Sequence, residues 1–300
     1  MNNIVDLFSR NKNVTEFAKS IQTEEYSYLV NSLTINQGYL LTYLSFLRSN
    51  CSVIYLASNL YKANYAYEVF CKLAGYDQVN LFVADELVSA ELLAVSSDLK
   101  FERLNTIRNI LRNERKIIVT HVQALLRPLI SKKRMAESQI FLRNHQETNS
   151  QDLIRKLVAL GYKRVPTTTM VGEFSVRGEI IDIYPLFCDN PVRVNFFDIE
   201  IETIKEFSSE TQKSIAPIPE VAIFPMNEII YDEAQKEDIQ KAIVNTSSTL
   251  PEFVKNDLND LENYENLDRL IKYMPYIDPD YTTLLEYIDK KIIFYDEYQR

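Results

Sequence analysis

Glycine is scarce in this chain: its 300 residues hold five, Gly38, Gly75, Gly161, Gly172 and Gly178. Nucleotide-binding loops use glycine because backbone amides must approach phosphate closely, often at positive φ. So few glycines leave little material for such a loop. Histidine is scarcer still, with His121 and His145 alone, and Cys51, Cys71 and Cys188 form no Cys-x-x-Cys pair. Those counts argue against a zinc centre and a disulfide framework and fit a reducing cytoplasm. No metal and no cofactor are expected. No apolar run approaches the roughly eighteen residues of a membrane span. The N-terminus, Met1-Asn-Asn-Ile-Val-Asp-Leu-Phe-Ser-Arg10, carries charges where an export signal needs an apolar core. No nucleophile elbow or histidine-anchored motif appears, and His121 reads as a helix-start residue, so no catalytic residue is assigned. Positive charge is also short, with 33 Lys and Arg against 42 Asp and Glu, a net charge of -9. An acidic chain gains little from counterion release on DNA, so duplex binding is not expected as its main task.

What is present is two kinds of periodicity. Residues 1–50 have helical spacing, as in Phe-Ala-Lys-Ser-Ile and Tyr-Leu-Leu-Thr-Tyr-Leu-Ser-Phe-Leu. Three short apolar runs, Ser52–Ala57, Val79–Ala84 and Ile117–Thr120, predict strands buried on both faces. Helices are predicted between them over 61–74, closed by Gly75, and over 100–115, with Leu104, Ile107 and Leu111 on one face. Strands alternating with helices over roughly 1–130 imply a parallel α/β sheet. The polar stretch 131–150 reads as a crossover into a new domain, its Lys132-Lys133-Arg134 as a solvated linker. A helix at 151–160 then precedes period-two residues over 164–207, an antiparallel meander in an α+β unit. The Pro217/Pro219 region reads as a linker into a strand at 220–224. Helices follow at 233–246 and 250–273, then a last buried-type strand at Lys291–Asp296. A chain stopping just after such a strand is expected to be a piece of something longer.

The segment Gly172-Glu-Phe-Ser-Val-Arg-Gly-Glu-Ile-Ile-Asp-Ile-Tyr-Pro185 resembles a signature of the UvrB-like excision-repair family. That family includes the helicase UvrB and the transcription-repair coupling factors. The elements that follow it there have counterparts here: Pro191-Val-Arg-Val-Asn-Phe-Phe-Asp198, Ile199-Glu-Ile-Glu-Thr-Ile204 and, in the coupling-factor form, Glu210-Thr-Gln-Lys-Ser214. The resemblance is strongest over 161–225 and weaker over 28–130 and 270–300. It implies a degenerate P-loop-NTPase-like α/β domain, 1–134 (1a) completed by 215–300 (1b), interrupted by domain 2 at 135–214, which binds UvrA. It also implies that a translocase motor, with contacts to RNA polymerase and DNA, lies beyond Arg300. In the family the UvrA surface is covered by a C-terminal domain until the motor engages.

UvrB is an ATPase, and its phosphate loop needs glycines, a lysine for phosphate and a hydroxyl for Mg²⁺. Aligned without gaps, the glycine positions hold Ser32, Ile35 and Gln37, the lysine position Gly38 and the hydroxyl position Tyr39. All the requirements fail together. Asp296-Glu297 looks like a Walker-B relic, whose bland reading is a solvated strand end. The long DNA-inserting hairpin of UvrB does not fit in the roughly sixteen residues left after Ala84, at the element lengths expected here. The 19 tyrosines are scattered through core-like segments rather than gathered for base stacking.

Alternation puts Val192, Val194 and Phe196 on one face of their strand, and Arg193, Asn195 and Phe197 on the other. In the preceding strand Phe174 and Val176 face inward, while Glu173, Ser175 and Arg177 face outward. A phase switch near Gly178 suggests a β-bulge that re-aims Arg177. By the resemblance, Arg177, Arg193 and Phe197 are the UvrA contacts. The alternatives are that Arg177 pairs with Glu173, Glu179 or a cross-strand acid, and that Phe197 packs under 131–150. The expected function is a non-catalytic module that recruits UvrA to link stalled transcription to nucleotide excision repair. A UvrB-type ATPase with a divergent loop and a DNA-binding module are the other readings.

Overall fold

The computed structural model describes residues 2–23, 28–30, 33–84, 97–245 and 251–296. In chain order its first elements are α1 (Asn2–Ser9), α2 (Lys12–Thr23), α3 (Ile35–Arg48), β1 (Ser52–Ala57), α4 (Leu60–Ala74), β2 (Val79–Phe82), α5 (Ser97–Leu111), β3 (Ile117–His121) and α6 (Val122–Leu125). There follow α7 (Lys132–Glu137), β4 (Ile140–Arg143), α8 (Ser150–Ala159), β5 (Lys163–Arg164), β6 (Glu173–Arg177), β7 (Ile180–Ile183), β8 (Val192–Phe197), β9 (Glu200–Phe207), β10 (Ser214–Ile218) and β11 (Glu220–Ile223). The last are α9 (Glu233–Val244), α10 (Glu252–Asn263), α11 (Met274–Ile277), α12 (Leu284–Tyr287) and β12 (Lys291–Tyr295). The chain divides into two compact units, Met1–Arg127 with Thr283–Arg300, and Pro128–Thr282. Residues 128–134 and 215–282 therefore pack with the second unit.

The first unit is α/β, with a wholly parallel sheet in the order β12-β1-β3-β2. β1 and β3 are buried at every residue, as their unbroken apolar runs predict. Tyr39 and Phe46 of α3, Phe70 of α4, and Leu104 and Ile107 of α5 are all buried, and the first three share a cluster with β1 and β3. Arg115 donates to the carbonyls of Phe46 at 2.6 Å and Ser49 at 2.5 Å, satisfying acceptors that a helix end leaves open. α4 stops at Gly75, whose φ of 92° is accessible to glycine. β12 corrects the prediction of a strand buried on both faces: its residues are half-buried or exposed, because it is an edge strand bonded to β1 alone among the described residues. The space after Ala84, where a DNA-inserting hairpin was weighed, falls mainly on residues 85–96, outside the described residues.

The second unit holds a six-stranded sheet, β10-β9-β8-β7-β6-β5, antiparallel except for the short β5–β6 pair. A separate antiparallel pair joins β11 to β4. α8 buries Leu153 and Leu157, and Tyr162 just beyond it donates to the Phe224 carbonyl at 2.8 Å while accepting from the Leu186 amide.

Several sequence expectations are corrected here. Residues 131–150 are not a plain polar crossover: they form α7 and β4, and β4 finds its partner β11 only much later in the chain. Arg134 of the expected solvated run donates to the carbonyls of Ile277 and Ile230 and to Gln235. The Pro217 region is β10, an edge strand rather than a linker, a position that tolerates a residue with no N–H. The helix expected over 250–273 breaks where Tyr264 and Asn266 adopt positive φ, and continues as a 3-10 turn over Leu267–Tyr273. Gly178 is not a bulge. Arg177 pairs with Ile180 in unbroken register, so Gly178-Glu179 is a two-residue hairpin with positive φ at its first position, where glycine is favoured.

Gly161 has a φ of +86°, and a Cβ there would fall 2.0 Å from Nδ2 and 3.0 Å from Cγ of Asn227. Gly161→Ala is expected to cost about 1–3 kcal/mol of unfolding free energy. Chemical denaturation checks this through the transition midpoint, and an unchanged midpoint would contradict it.

Candidate partner-binding face

The six-stranded sheet has one apolar face, supplied by Phe174, Ile181, Ile183, Val192, Val194 and Ile204, all buried. The opposite face carries the predicted contacts. Across it Ser175 opposes Asp182, and Asp182 opposes Arg193. This polar face is not simply solvated. Ser175 is buried there, bonded at 3.0 Å to Thr168, and the Gln212 side chain reaches the Thr168 carbonyl at 3.1 Å. The segments around Thr168 and Gln212 thus cover one end of it.

Asp182 is the centre of this arrangement, 1% exposed. Its Oδ1 accepts from Arg193 Nε at 2.7 Å, and its Oδ2 accepts from Arg193 Nη2 at 2.9 Å and from Arg177 Nη2 at 2.5 Å. Arg193 is therefore held as a fork on the carboxylate, the geometry that suits guanidinium best. It also lies 4.7 Å from the centre of the Phe207 ring. The bond to Asp182 is the main cause that pushes the Arg193 pKa above its ordinary value, against burial, so its charge is secure. Sequence reasoning weighed a cross-strand acid for Arg177 but named no residue. The signal was there: an aspartate between Ile181 and Ile183, in a strand otherwise apolar.

Phe197 ends the same polar face and is 73% exposed. It precedes a two-residue hairpin, Asp198-Ile199, with Asp198 at φ 57° and Ile199 exposed beside it. Register shifts between Asn195 and Phe196, which leaves Glu202 as an extra residue in β9, a bulge that bends the tip. The tip is anchored: the Thr148 amide donates to the Ile199 carbonyl and the His145 amide to the Ile201 carbonyl, both at 2.7 Å. Phe197 does not pack under 131–150; that stretch holds the hairpin backbone and leaves the ring in solvent. An open cleft of about 610 Å³ beside α8, lined by Phe141, Asp152 and Lys156, contains none of the predicted residues.

At the candidate nucleotide loop, Ser32 lies outside the described residues. Thr34 caps α3: its side chain accepts from the Gln37 amide, and Gln37 Oε1 accepts from the Thr34 amide at 2.9 Å, a closed capping box. Ile35 is exposed, Gly38 is half-buried and Tyr39 is in the core, 5.5 Å from the rings of Tyr55 and Phe70. Asp296 donates its amide to the Leu56 carbonyl at 3.0 Å. The Tyr55 pKa is raised, chiefly by burial and then by the neighbouring Tyr39 and Asp296. Tyr39 and Asp296 thus both neighbour Tyr55, while Glu297 lies outside the described residues. Among the described residues no group of three or more His, Cys, Asp or Glu could hold a metal. No helix among them is long and apolar enough to cross a membrane.

The family model of the UvrB interaction domain matches residues 140–229. The match runs from the start of β4 to just past β11 and so takes in every strand of the six-stranded sheet and of the β4–β11 pair. The transcription-repair-coupling factor of Bacillus subtilis (strain 168) is 30% identical over 266 residues, 84% of this chain and 23% of that protein. That of Staphylococcus aureus (strain bovine RF122 / ET3-1) is 30% identical over 215 residues, 70% of this chain and 18% of that protein. In strain Mu50 it is 29% identical over 269 residues, 84% of this chain and 23% of that protein. The chain carries a UvrB interaction domain and is a relative of the transcription-repair-coupling factors. It spans less than a quarter of the length of these curated relatives.

Arg193 and Phe197 should separate cleanly in stability. Arg193→Ala removes the fork from a buried carboxylate and should cost about 2–3 kcal/mol, with Arg177 left as a partial partner. Phe197→Ala, at an exposed ring, should stay within about 0.5 kcal/mol of the parent. Urea unfolding of the two variants measures both, and equal losses would contradict the assignment.

Proposed function

We propose that this chain recruits UvrA through the polar face of β6, β7 and β8, and so links stalled transcription to nucleotide excision repair. Arg177, Arg193 and Phe197 form the contact face, and residues 135–214 act as domain 2. The observation that carries this reading is an exposed aromatic on an anchored hairpin, beside two arginines held by one buried carboxylate, within the UvrB interaction domain. Aromatic and arginine anchors on a rigid element match the composition of binding hot spots.

The first unit, residues 1–127 with 283–300, is then a P-loop-NTPase-like domain that has lost its chemistry. The capping box of Thr34 and Gln37 occupies amides that a phosphate would need, and Tyr39 stands in the core where a Mg²⁺-binding hydroxyl is required. The fragment is no enzyme on this reading. RNA polymerase and DNA would be met by later parts of a longer cytoplasmic protein, and the net charge of -9 opposes DNA binding here.

Two measurements test the proposal. Calorimetric titration against purified UvrA should find Phe197→Ala weaker than the parent by about 1–3 kcal/mol. Unchanged affinity would remove Phe197 from the interface. Titration with Mg²⁺-ATP should give no saturable heat, and micromolar binding would instead favour a UvrB-type ATPase.

A further inference from the structure

The UvrA reading leaves open which groups touch the partner and which hold the others in place, and the hydrogen bonds of this face divide the two roles. Arg193 has all three of its nitrogens engaged: Nε and Nη2 bond Asp182, Nη1 reaches the Gln212 carbonyl at 3.4 Å, and the guanidinium rests on Phe207. Its side chain is only 19% exposed. Arg177 differs. Its side chain is 49% exposed, one N–H goes to Asp182, and among the described residues Nε and Nη1 meet no acceptor. Asp182 is buried and cannot reach a partner itself.

We infer that Asp182 is the positioning residue of the UvrA-binding face, fixing Arg177 so that its free edge meets a carboxylate on UvrA beside the apolar contact of Phe197. The inference rests on the UvrA reading and deepens it. Two guanidiniums share one carboxylate, so the patch keeps an excess positive charge on a chain whose net charge is -9. Such a patch selects an acidic partner surface. A free arginine loses much rotamer freedom when it is immobilised in an interface; one already tied at a single N–H loses less. Arg193 takes part through Asp182: its fork fixes the carboxylate against which Arg177 leans.

A double-mutant cycle read by titration with purified UvrA tests this. Asp182→Asn keeps the shape and removes the charge, and should weaken binding about tenfold. In an Arg177→Ala background the same change should give no further loss. Equal weakening in both backgrounds, or parent-like binding by Asp182→Asn, overturns the positioning role while the UvrA reading stands. No binding by the parent chain overturns the UvrA reading, and this inference with it. Arg177→Lys, at a half-exposed position, covers the case in which Asp182→Asn fails to fold. A lysine keeps the charge but cannot offer separate edges to Asp182 and to UvrA. It should lose most of the affinity lost in Arg177→Ala, and full affinity would overturn the role of Asp182.

Discussion

One buried carboxylate governs the second unit. Asp182 lies inside a strand flanked by Ile181 and Ile183, and a buried charge is costly unless it is paired and hydrogen-bonded. Its partners come from two other strands, so β6, β7 and β8 must align with Arg177, Asp182 and Arg193 on one face. A slip of one residue would send the charge into the apolar face and the isoleucines out of it. The register of the central sheet is thereby fixed electrostatically as well as by hydrophobic pattern. The Thr168 and Gln212 segments complete the arrangement by closing over one end of the polar face.

Burial of charge at one end of this face and exposure of an aromatic at the other are linked. β8 begins at the Asp182–Arg193 pair and ends at Phe197, so the strand that is pinned by the ion pair also presents the ring. The bulge at Glu202 turns the tip, and backbone bonds from His145 and Thr148 hold it. A ring held on such a frame meets a partner with little conformational entropy left to lose.

Much of this was legible in the sequence, for physical reasons that differ by element. β1 and β3 announced themselves because strands buried on both faces must be apolar throughout. The alternation of Val192, Val194 and Phe196 against Arg193, Asn195 and Phe197 appears in the burial of β8 residue by residue. Non-local pairing escaped notice. β4 is four residues long, partly polar and paired with a strand far along the chain, so no local period marks it. Gly178 is ambiguous in sequence because a phase change has the same signature at a bulge as at a two-residue hairpin; only the pairing of Arg177 with Ile180 separates them. The role of Asp182 was visible only as an anomaly, a charge in an apolar run, because its partners depend on the strand order.

The capping box at the start of α3 has a thermodynamic consequence. A ligand that binds only the folded state stabilises it in proportion to the logarithm of its free concentration. A helix end sealed by its own Thr34 and Gln37 side chains offers no such handle. On the proposed reading, the first unit is indifferent to the energy charge of the cell. Its folded population would be the same in starving and growing cells, so any gating of this adaptor must come from elsewhere in a longer protein.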